Sequence, residues 1–220
     1  MDIKVDQNTV VVFDLDDTLY NELDFLKSAY IAIAQYLEPK EWITLYVSMF
    51  SMYRSNINVF DYLALDYGKD AKTLIDMYRN HSPDIELFEG VIDVIKAIKQ
   101  KEGHIGIITD GRSGTQRSKI KSLNITDLID KIVISDDIGS EKPAEENFLA
   151  IEAAFKFNEA EFYYIADNLK KDFITPNARA WKTIGLIDNG KNIHHASHQY
   201  MSPSHKPQAF IFSFKDIKIK

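Results

Sequence analysis

Thr9-Val10-Val11-Val12-Phe13-Asp14-Leu15-Asp16-Asp17-Thr18 is the stretch on which the fold turns. Its first five residues are β-branched or aromatic and form an unbroken apolar run. A run of that kind is a strand buried on both faces, as inside a parallel sheet covered by helices on each side. Directly behind it the chain turns acidic, with Asp14, Asp16 and Asp17 in close succession. Sites in open α/β sheets lie at the carboxyl ends of the strands. Chemistry is therefore expected where this run stops.

Downstream the period changes. Phe25, Leu26, Ala29, Tyr30, Ile33, Ala34 and Leu37 recur at helical spacing, and Pro39 blocks continuation. Further helices are expected over 40–53, 59–66 and 71–80, and Ser82-Pro83 marks an exit. Residues 20–82 thus read as a helical insertion after the first strand. So placed, it is expected to close over the strand ends like a lid. Most of its aromatics (Tyr46, Phe50, Tyr53, Phe60, Tyr62, Tyr67) are expected in its own core. From residue 83 the pattern alternates: helix 91–99, strand 104–109, helix 113–123, strand 131–135, helix 143–157, strand 162–166, helix 168–180, strand 182–187 and a last strand at 209–212. The expected class is α/β: a three-layer, Rossmann-like parallel sheet core formed by 1–19 and 83–220, with a helical cap at 20–82. The residues at the strand ends are Asp14, Thr109, Asp136, Asp167 and Asp188.

Composition excludes several chemistries. The 220 residues contain no cysteine, so disulfides, thiolate metal sites and a cysteine nucleophile are ruled out. A net charge of -7 gives no electrostatic footprint for nucleic acid or an anionic membrane. The first apolar run is too short for a membrane span or a signal peptide's apolar region. A soluble cytoplasmic protein is expected. His194, His195, His198 and His205 fall in a segment with Pro203 and Pro207, which reads as a polar surface loop.

Carboxylates crowded at one sheet edge repel one another, which raises their pKa values or demands a cation. A donor set of oxygens alone suits a hard ion such as magnesium. Lys142, in Glu141-Lys142-Pro143 at the end of the third main strand, is placed to add one positive charge. A hard cation, a lysine and the Thr109 hydroxyl make a receptor for a phosphoryl group, and a carboxylate can attack phosphorus.

Four ordered motifs carry a resemblance to the haloacid dehalogenase-like hydrolase superfamily over most of the chain: Phe13-Asp14-Leu15-Asp16-Asp17-Thr18-Leu19-Tyr20, Thr109 after Ile107-Ile108, Lys142 in Glu-Lys-Pro, and the acidic pair Asp167 and Asp172. The resemblance implies a phosphatase with Asp14 as nucleophile and Asp16 as acid and base. It implies that Thr109 and Lys142 hold phosphate oxygens, and that Mg2+ sits on the Asp14 carboxylate, the Asp16 main-chain carbonyl and Asp167. Asp172 is expected to orient Lys142 or the metal's waters. Thr18, Asp110, Gly111 and Arg112 are candidate substrate contacts, and Arg54 is a further candidate for a second anionic group. Ala166 replaces the usual glycine before the fourth-motif acid, and Asp110 replaces the frequent asparagine after the threonine. The expected partner is a small phosphorylated metabolite, such as a sugar phosphate or nucleotide. A phosphomutase, a metal-independent dehalogenase of the same fold and a non-catalytic binding module are the alternatives.

Overall fold

A computed structural model describes residues 1–157 and 159–220. The chain folds as two compact units, Met1–Glu22 with Glu86–Lys220, and Leu23–Ile85.

In the first unit, β1 (Asp2–Ile3) precedes β2 (Thr9–Phe13). Val10, Val11, Val12 and Phe13 are all fully buried. Burial of side chains of this size contributes about 1.5–3 kcal/mol each. The sheet continues through β3 (His104–Thr109), β4 (Lys131–Ile134), β5 (Glu161–Ala166), β6 (Lys182–Leu186) and β7 (Ala209–Ile211). β8 (Lys218–Ile219) pairs with β1 in a separate two-stranded ribbon. The main sheet has six strands in the order β4-β3-β2-β5-β6-β7, every pair parallel.

Successive side chains of β2 alternate faces, and both faces are covered. Val10 and Val12 pack in one cluster with Phe148, Ile151, Tyr164 and Trp181. On the other side the Phe13 ring meets Phe214 at 6.1 Å. Gly106 of β3 permits the close approach of the covering helix: a Cβ there would lie 3.0 Å from Ile151 Cδ1 and 3.3 Å from Val12 Cγ2.

The second unit holds α1, which starts at the junction (Glu22–Leu37), α2 (Trp42–Arg54), α3 (Val59–Tyr67) and α4 (Ala71–Asn80). Its core gathers Leu26, Tyr30, Ile33, Met49, Leu63 and Leu74, with Tyr46, Phe50, Tyr53, Phe60 and Tyr67 packed against it. Tyr62 is exposed. Local chemistry sets the helix ends. Asn58 accepts from the main-chain N–H groups of Phe60 and Asp61, Asp70 accepts from that of Lys72, and Gly68 closes α3 in the left-handed region at φ 58°.

The remaining helices belong to the sheet unit: α5 (Val91–Gln100), α6 (Ser113–Ser122), α7 (Ser135–Ile138), α8 (Glu146–Ala154) and α9 (Ile174–Ala178). Two helices are shorter than their apolar spacing suggests. The helix expected over 143–157 begins only at Glu146, because the Pro143 carbonyl accepts from Thr175 Oγ1 instead of a helical N–H. It ends at Ala154, Phe155 and Phe157 lie outside it, and residue 158 is outside the described residues. The helix expected over 168–180 shrinks to Ile174–Ala178. Asn168 Oδ1 accepts from the Lys170 N–H, and Asp172 Oδ2 accepts from the Asn168 N–H, so side chains take the main-chain donors a helix would have used. The strand expected over 131–135 stops at Ile134, where α7 begins, and the helix expected from residue 40 begins at Trp42. Among the described residues no helix is long and apolar enough to cross a membrane.

Candidate active site

The strand order reverses at β2, which has β3 on one side and β5 on the other. Such a switch point opens a crevice at the carboxyl ends of the strands. Asp14 follows β2, Thr109 ends β3 and Asp167 follows β5, so three adjacent strands bring these side chains to one place. All three line a cavity of about 110 Å³, together with Asp16, Asp17, Glu22, Asp110, Asn168, Lys171 and His194.

Beneath it, Asp14, Asp167 and Asp172 each offer a carboxylate oxygen, all within 4.8 Å of one another, and all three residues are buried. Lys142 Nζ lies 2.7 Å from Asp14 Oδ1 and 2.9 Å from Asp172 Oδ1. It also donates to Tyr164 Oη at 3.2 Å, and its side chain is 1% exposed. The Lys142 ammonium is thus engaged within the chain on three sides. Asp167 takes neutral donors: Thr18 Oγ1 at 3.2 Å on Oδ1 and Asn192 Nδ2 at 2.8 Å on Oδ2.

Asp16 is held differently. Its Oδ1 receives Lys119 Nζ at 2.7 Å and the Tyr20 hydroxyl, and its Oδ2 receives Gln116 Nε2 at 2.8 Å. The same Gln116 nitrogen lies 2.6 Å from Thr109 Oγ1, joining the threonine to the acid. Asp110 faces the cavity with its acceptors in use, Oδ1 on the Lys142 N–H at 3.0 Å and Oδ2 on Lys171. Asp17 takes the main-chain N–H groups of Glu22 and Ile193, each at 2.8 Å.

Two of the candidate substrate contacts lie elsewhere. Gly111 and Arg112 are exposed and absent from the cavity wall; the Gly111 N–H donates to Ser135 Oγ at 2.9 Å, and Arg112 caps α6. Thr18 is fully buried against Asp167. Arg54 is exposed at the end of α2. The strand-end residues Asp136 and Asp188 shape turns: Asp136 Oδ2 accepts from the Ser113 N–H, and Asp188 Oδ1 from those of Gly190 and Asn192. In the histidine segment, His205 bonds to Ser202 Oγ at 2.9 Å, whereas His194 stands on the cavity wall rather than on a remote surface loop.

Sequence reasoning missed Lys119, Gln116, Tyr164, Glu22, Lys171 and Asn192. For Gln116 and Lys119 a signal existed. They share a helix face with Ile120, and polar side chains on an apolar face must find partners inside. Asn192 lies in a loop with no periodicity and gave none.

Electrostatics follow from burial. Burial pushes Asp14 up to about 7, with Lys142 opposing and Asp172 adding to the rise. Asp17 is pushed up to about 6 by burial, and Glu22 to about 8 by burial and then by repulsion from Asp16. Asp167 rises well above the carboxylate range through burial, then through Asp172 and Asp14. Asp16 goes the other way: burial raises it, but Lys119 and the three hydrogen bonds outweigh burial and hold it below its ordinary value. Burial lowers Lys142, yet Asp14 and Asp172 more than reverse that, so it stays protonated. Three buried carboxylates against one ammonium leave two formal negative charges. The donor set is all oxygen and the uncompensated charge is that of a divalent ion. These residues therefore fit a hard cation such as Mg2+.

This fold and this grouping define an α/β class with buried carboxylates gathered at the switch point of a parallel sheet. The family model for haloacid dehalogenase-like hydrolases matches residues 11–186. The glyceraldehyde 3-phosphate phosphatase of Pyrococcus furiosus is 30% identical over 193 residues, which span 80% of this chain and 79% of that protein. Among solved structures, the HAD-hydrolase YfnB from Bacillus subtilis, bound to magnesium, superposes with a TM-score of 0.67 at 19% identity, over 94% of this chain and 96% of that one. A 2-haloacid dehalogenase from Pseudomonas syringae reaches 0.62 at 17% identity, over 94% and 95%. The chain belongs to the haloacid dehalogenase-like hydrolase family.

Proposed function

We propose that this protein is a magnesium-dependent phosphatase that hydrolyses a small phosphomonoester through a phospho-aspartyl intermediate on Asp14. The observation that carries the proposal is the position of Asp14. It stands at the switch point of the sheet, paired with Lys142 at 2.7 Å and clustered with Asp167 and Asp172. In this reading Asp14, Asp167 and the main-chain carbonyl of Asp16 hold Mg2+. When bound, the ion neutralises carboxylate and phosphoryl charge.

Lys142 fixes Asp14 through Oδ1, which leaves Oδ2 for attack on phosphorus. A new O–P bond forms there as the ester P–O bond breaks, and its electron pair leaves on the alcohol oxygen. That oxygen takes a proton from Asp16, whose carboxylate first takes up a proton from solvent as it gives up its Lys119 contact. Water then attacks the acyl phosphate at phosphorus and gives a proton to Asp16. Phosphate departs and the Asp14 carboxylate is restored. The resting ion pair with Lys119 stores Asp16 in the ionised form that the water step requires. Thr109, tied to Asp16 through Gln116, is assigned to a phosphate oxygen. The helical unit is assigned the role of a cap. The small cavity and the relatives named as phosphatases of a triose phosphate support a substrate of that size.

A dehalogenase of the same fold would need neither a divalent ion nor the acid at Asp16, and the buried excess of carboxylates favours the phosphatase. The test measures inorganic phosphate released from p-nitrophenyl phosphate and from glyceraldehyde 3-phosphate, with Mg2+ and with a chelator, for wild type and Asp14→Asn. Magnesium-dependent release that falls at least about a thousand-fold in the variant is expected. Equal rates in both proteins would remove Asp14 as nucleophile. Halide release from a haloacid without added metal would favour the rival chemistry.

A further inference from the structure

The acidic residues at this sheet end divide by the kind of partner they have. Asp14 and Asp172 share Lys142, Asp16 is paired with Lys119, and Asp110 with Lys171. Among the described residues Asp167 forms no ion pair with a lysine, and its two oxygens receive only the Thr18 hydroxyl and the Asn192 amide. Neutral donors fix the plane of a carboxylate without cancelling its charge. Each carboxylate oxygen has two lone pairs, so one per oxygen stays available after such a bond.

Asn192 belongs to the connection between β6 and β7, a stretch of roughly twenty residues, and loops of that length in compact domains are usually functional or disordered. Here the first half is tied down. Asp188 Oδ1 accepts from the N–H groups of Gly190 at 2.7 Å and Asn192 at 3.3 Å, which folds the loop back on itself. Asn189 Nδ2 donates to Asn21 Oδ1 at 2.8 Å, and the Ile193 N–H to Asp17 Oδ2 at 2.8 Å. Asn192 is thereby held from both sides with its amide on Asp167.

We propose that Asn192 is a positioning residue for the metal-holding carboxylate Asp167, and that the β6–β7 loop is built to present it. This rests on the magnesium site of the proposed function. The amide sets the orientation of Asp167 while leaving its charge intact for the cation. Hydrogen-bond partners of metal ligands commonly change affinity by about 10–100-fold when removed.

The test is calorimetric titration of the full-length, metal-free protein with MgCl2 in the absence of substrate. Wild type, Asn192→Ala, Thr18→Val and Asn189→Ala are compared. Asn192→Ala is expected to weaken Mg2+ binding about ten-fold or more, and Thr18→Val, which removes the other neutral donor, is expected to act in the same direction. Asn189→Ala cuts a different tie of the same loop and is expected to bind within about two-fold of wild type, as a bond remote from the carboxylate should. At saturating Mg2+, KM for p-nitrophenyl phosphate is expected to stay near wild type in Asn192→Ala, which a general loss of structure would not allow. Unchanged Mg2+ affinity in Asn192→Ala overturns the inference, whatever Thr18→Val does. So does an equal loss in Asn189→Ala, which would make loop integrity the cause. If Asn192→Ala does not fold, Thr18→Val against Asn189→Ala decides alone. A wild-type protein that binds no Mg2+ overturns the proposed function itself, an outcome distinct from wild-type binding with unaffected variants.

Discussion

Replacing Lys142 by methionine keeps an unbranched apolar side chain of nearly the same length and removes the ammonium. In the native protein that ammonium lies between two buried carboxylates, 2.7 Å from Asp14 and 2.9 Å from Asp172. Removing one member of a buried ion pair leaves an uncompensated charge and costs about 3–5 kcal/mol. For a chain of this size each kcal/mol moves Tm by about 2–4 °C, so a fall of roughly 6–20 °C is expected. The fall should depend on pH, and the sign follows from the groups involved. The folded pKa of Lys142 lies above its ordinary value, so its own contribution is fully present below the usual lysine range and constant between pH 5 and 8. What varies is the state of Asp14, already pushed up to about 7 by burial with Lys142 opposing. Without the lysine it rises further. Near pH 5 the carboxyl keeps its proton at little cost, and near pH 8 folding must either bury the charge or retain the proton against solvent. Thermal unfolding of the metal-free proteins at both values checks this. The loss in Lys142→Met is expected to be larger at pH 8, and added MgCl2 should recover part of it. A variant that melts within about 2 °C of wild type at pH 8, or that loses more at pH 5, would refute the view that Lys142 holds the buried carboxylates together.

Magnesium should stabilise the wild-type protein more at pH 8 than at pH 5.5. Asp14, Asp17, Glu22 and Asp167 all titrate above their ordinary values, so the stability of the metal-free protein falls as pH rises from about 4 toward 8, and at low pH a cation must displace protons; thermal shifts with and without MgCl2 that show the opposite trend would reject the cluster as the cation site. Lys119→Met removes the ammonium 2.7 Å from Asp16 and is expected to lower kcat about a hundred-fold, the scale of acid–base assistance, while leaving calorimetric Mg2+ affinity near wild type; an unchanged kcat would detach Lys119 from catalysis. Leu63→Ala opens a cavity in the helical core, where Leu63 is fully buried, at a cost of about 2–5 kcal/mol. Hydrogen exchange should then show protection lost across α1–α4 while β2, β3 and β5 keep theirs, and uniform loss over both units would contradict their separate cores.

The residues that were legible are those whose role fixes their place in a repeating pattern. A run such as Thr9–Phe13 has few alternatives to a buried parallel strand, so β2 has the limits its composition suggests. Strand-end position led to Asp14, Thr109 and Asp167, which flank the point where the strand order reverses, but equally to Asp136 and Asp188, which lie on other strands and shape turns. Lys142 is legible from its place beyond the third main strand, and Asp172 comes with the acidic pair of the fourth motif. Where side chains compete with the backbone for hydrogen bonds, periodicity misled. Asn168 and Asp172 sit in what reads as a helix start and instead use main-chain N–H groups to build a turn, and Pro143 gives its carbonyl to Thr175. β1 and β8 are two residues each, too short to carry any pattern. Tyr164 alternates like any core strand residue, and nothing in that alternation reveals that its hydroxyl meets Lys142.

On the proposed reading, charge explains why these carboxylates would need both a lysine and a metal. A phosphomonoester brings about two negative charges to a cavity whose walls already carry Asp14, Asp16, Asp17, Glu22, Asp110 and Asp167. Lys119 and Lys171 are committed to Asp16 and Asp110, and Lys142 is shared by Asp14 and Asp172. These lysines pair with their own carboxylates and leave Asp167 without a cation, and a dianion would meet that surplus at close range, where low dielectric strengthens repulsion. On the proposed reading the cation therefore has to be in place before or with the phosphate, and the neutral donors on Asp167 serve that order. An ammonium at the position of Asn192 would satisfy the carboxylate permanently and close the site to a divalent ion, whereas an amide holds it in place and leaves it charged.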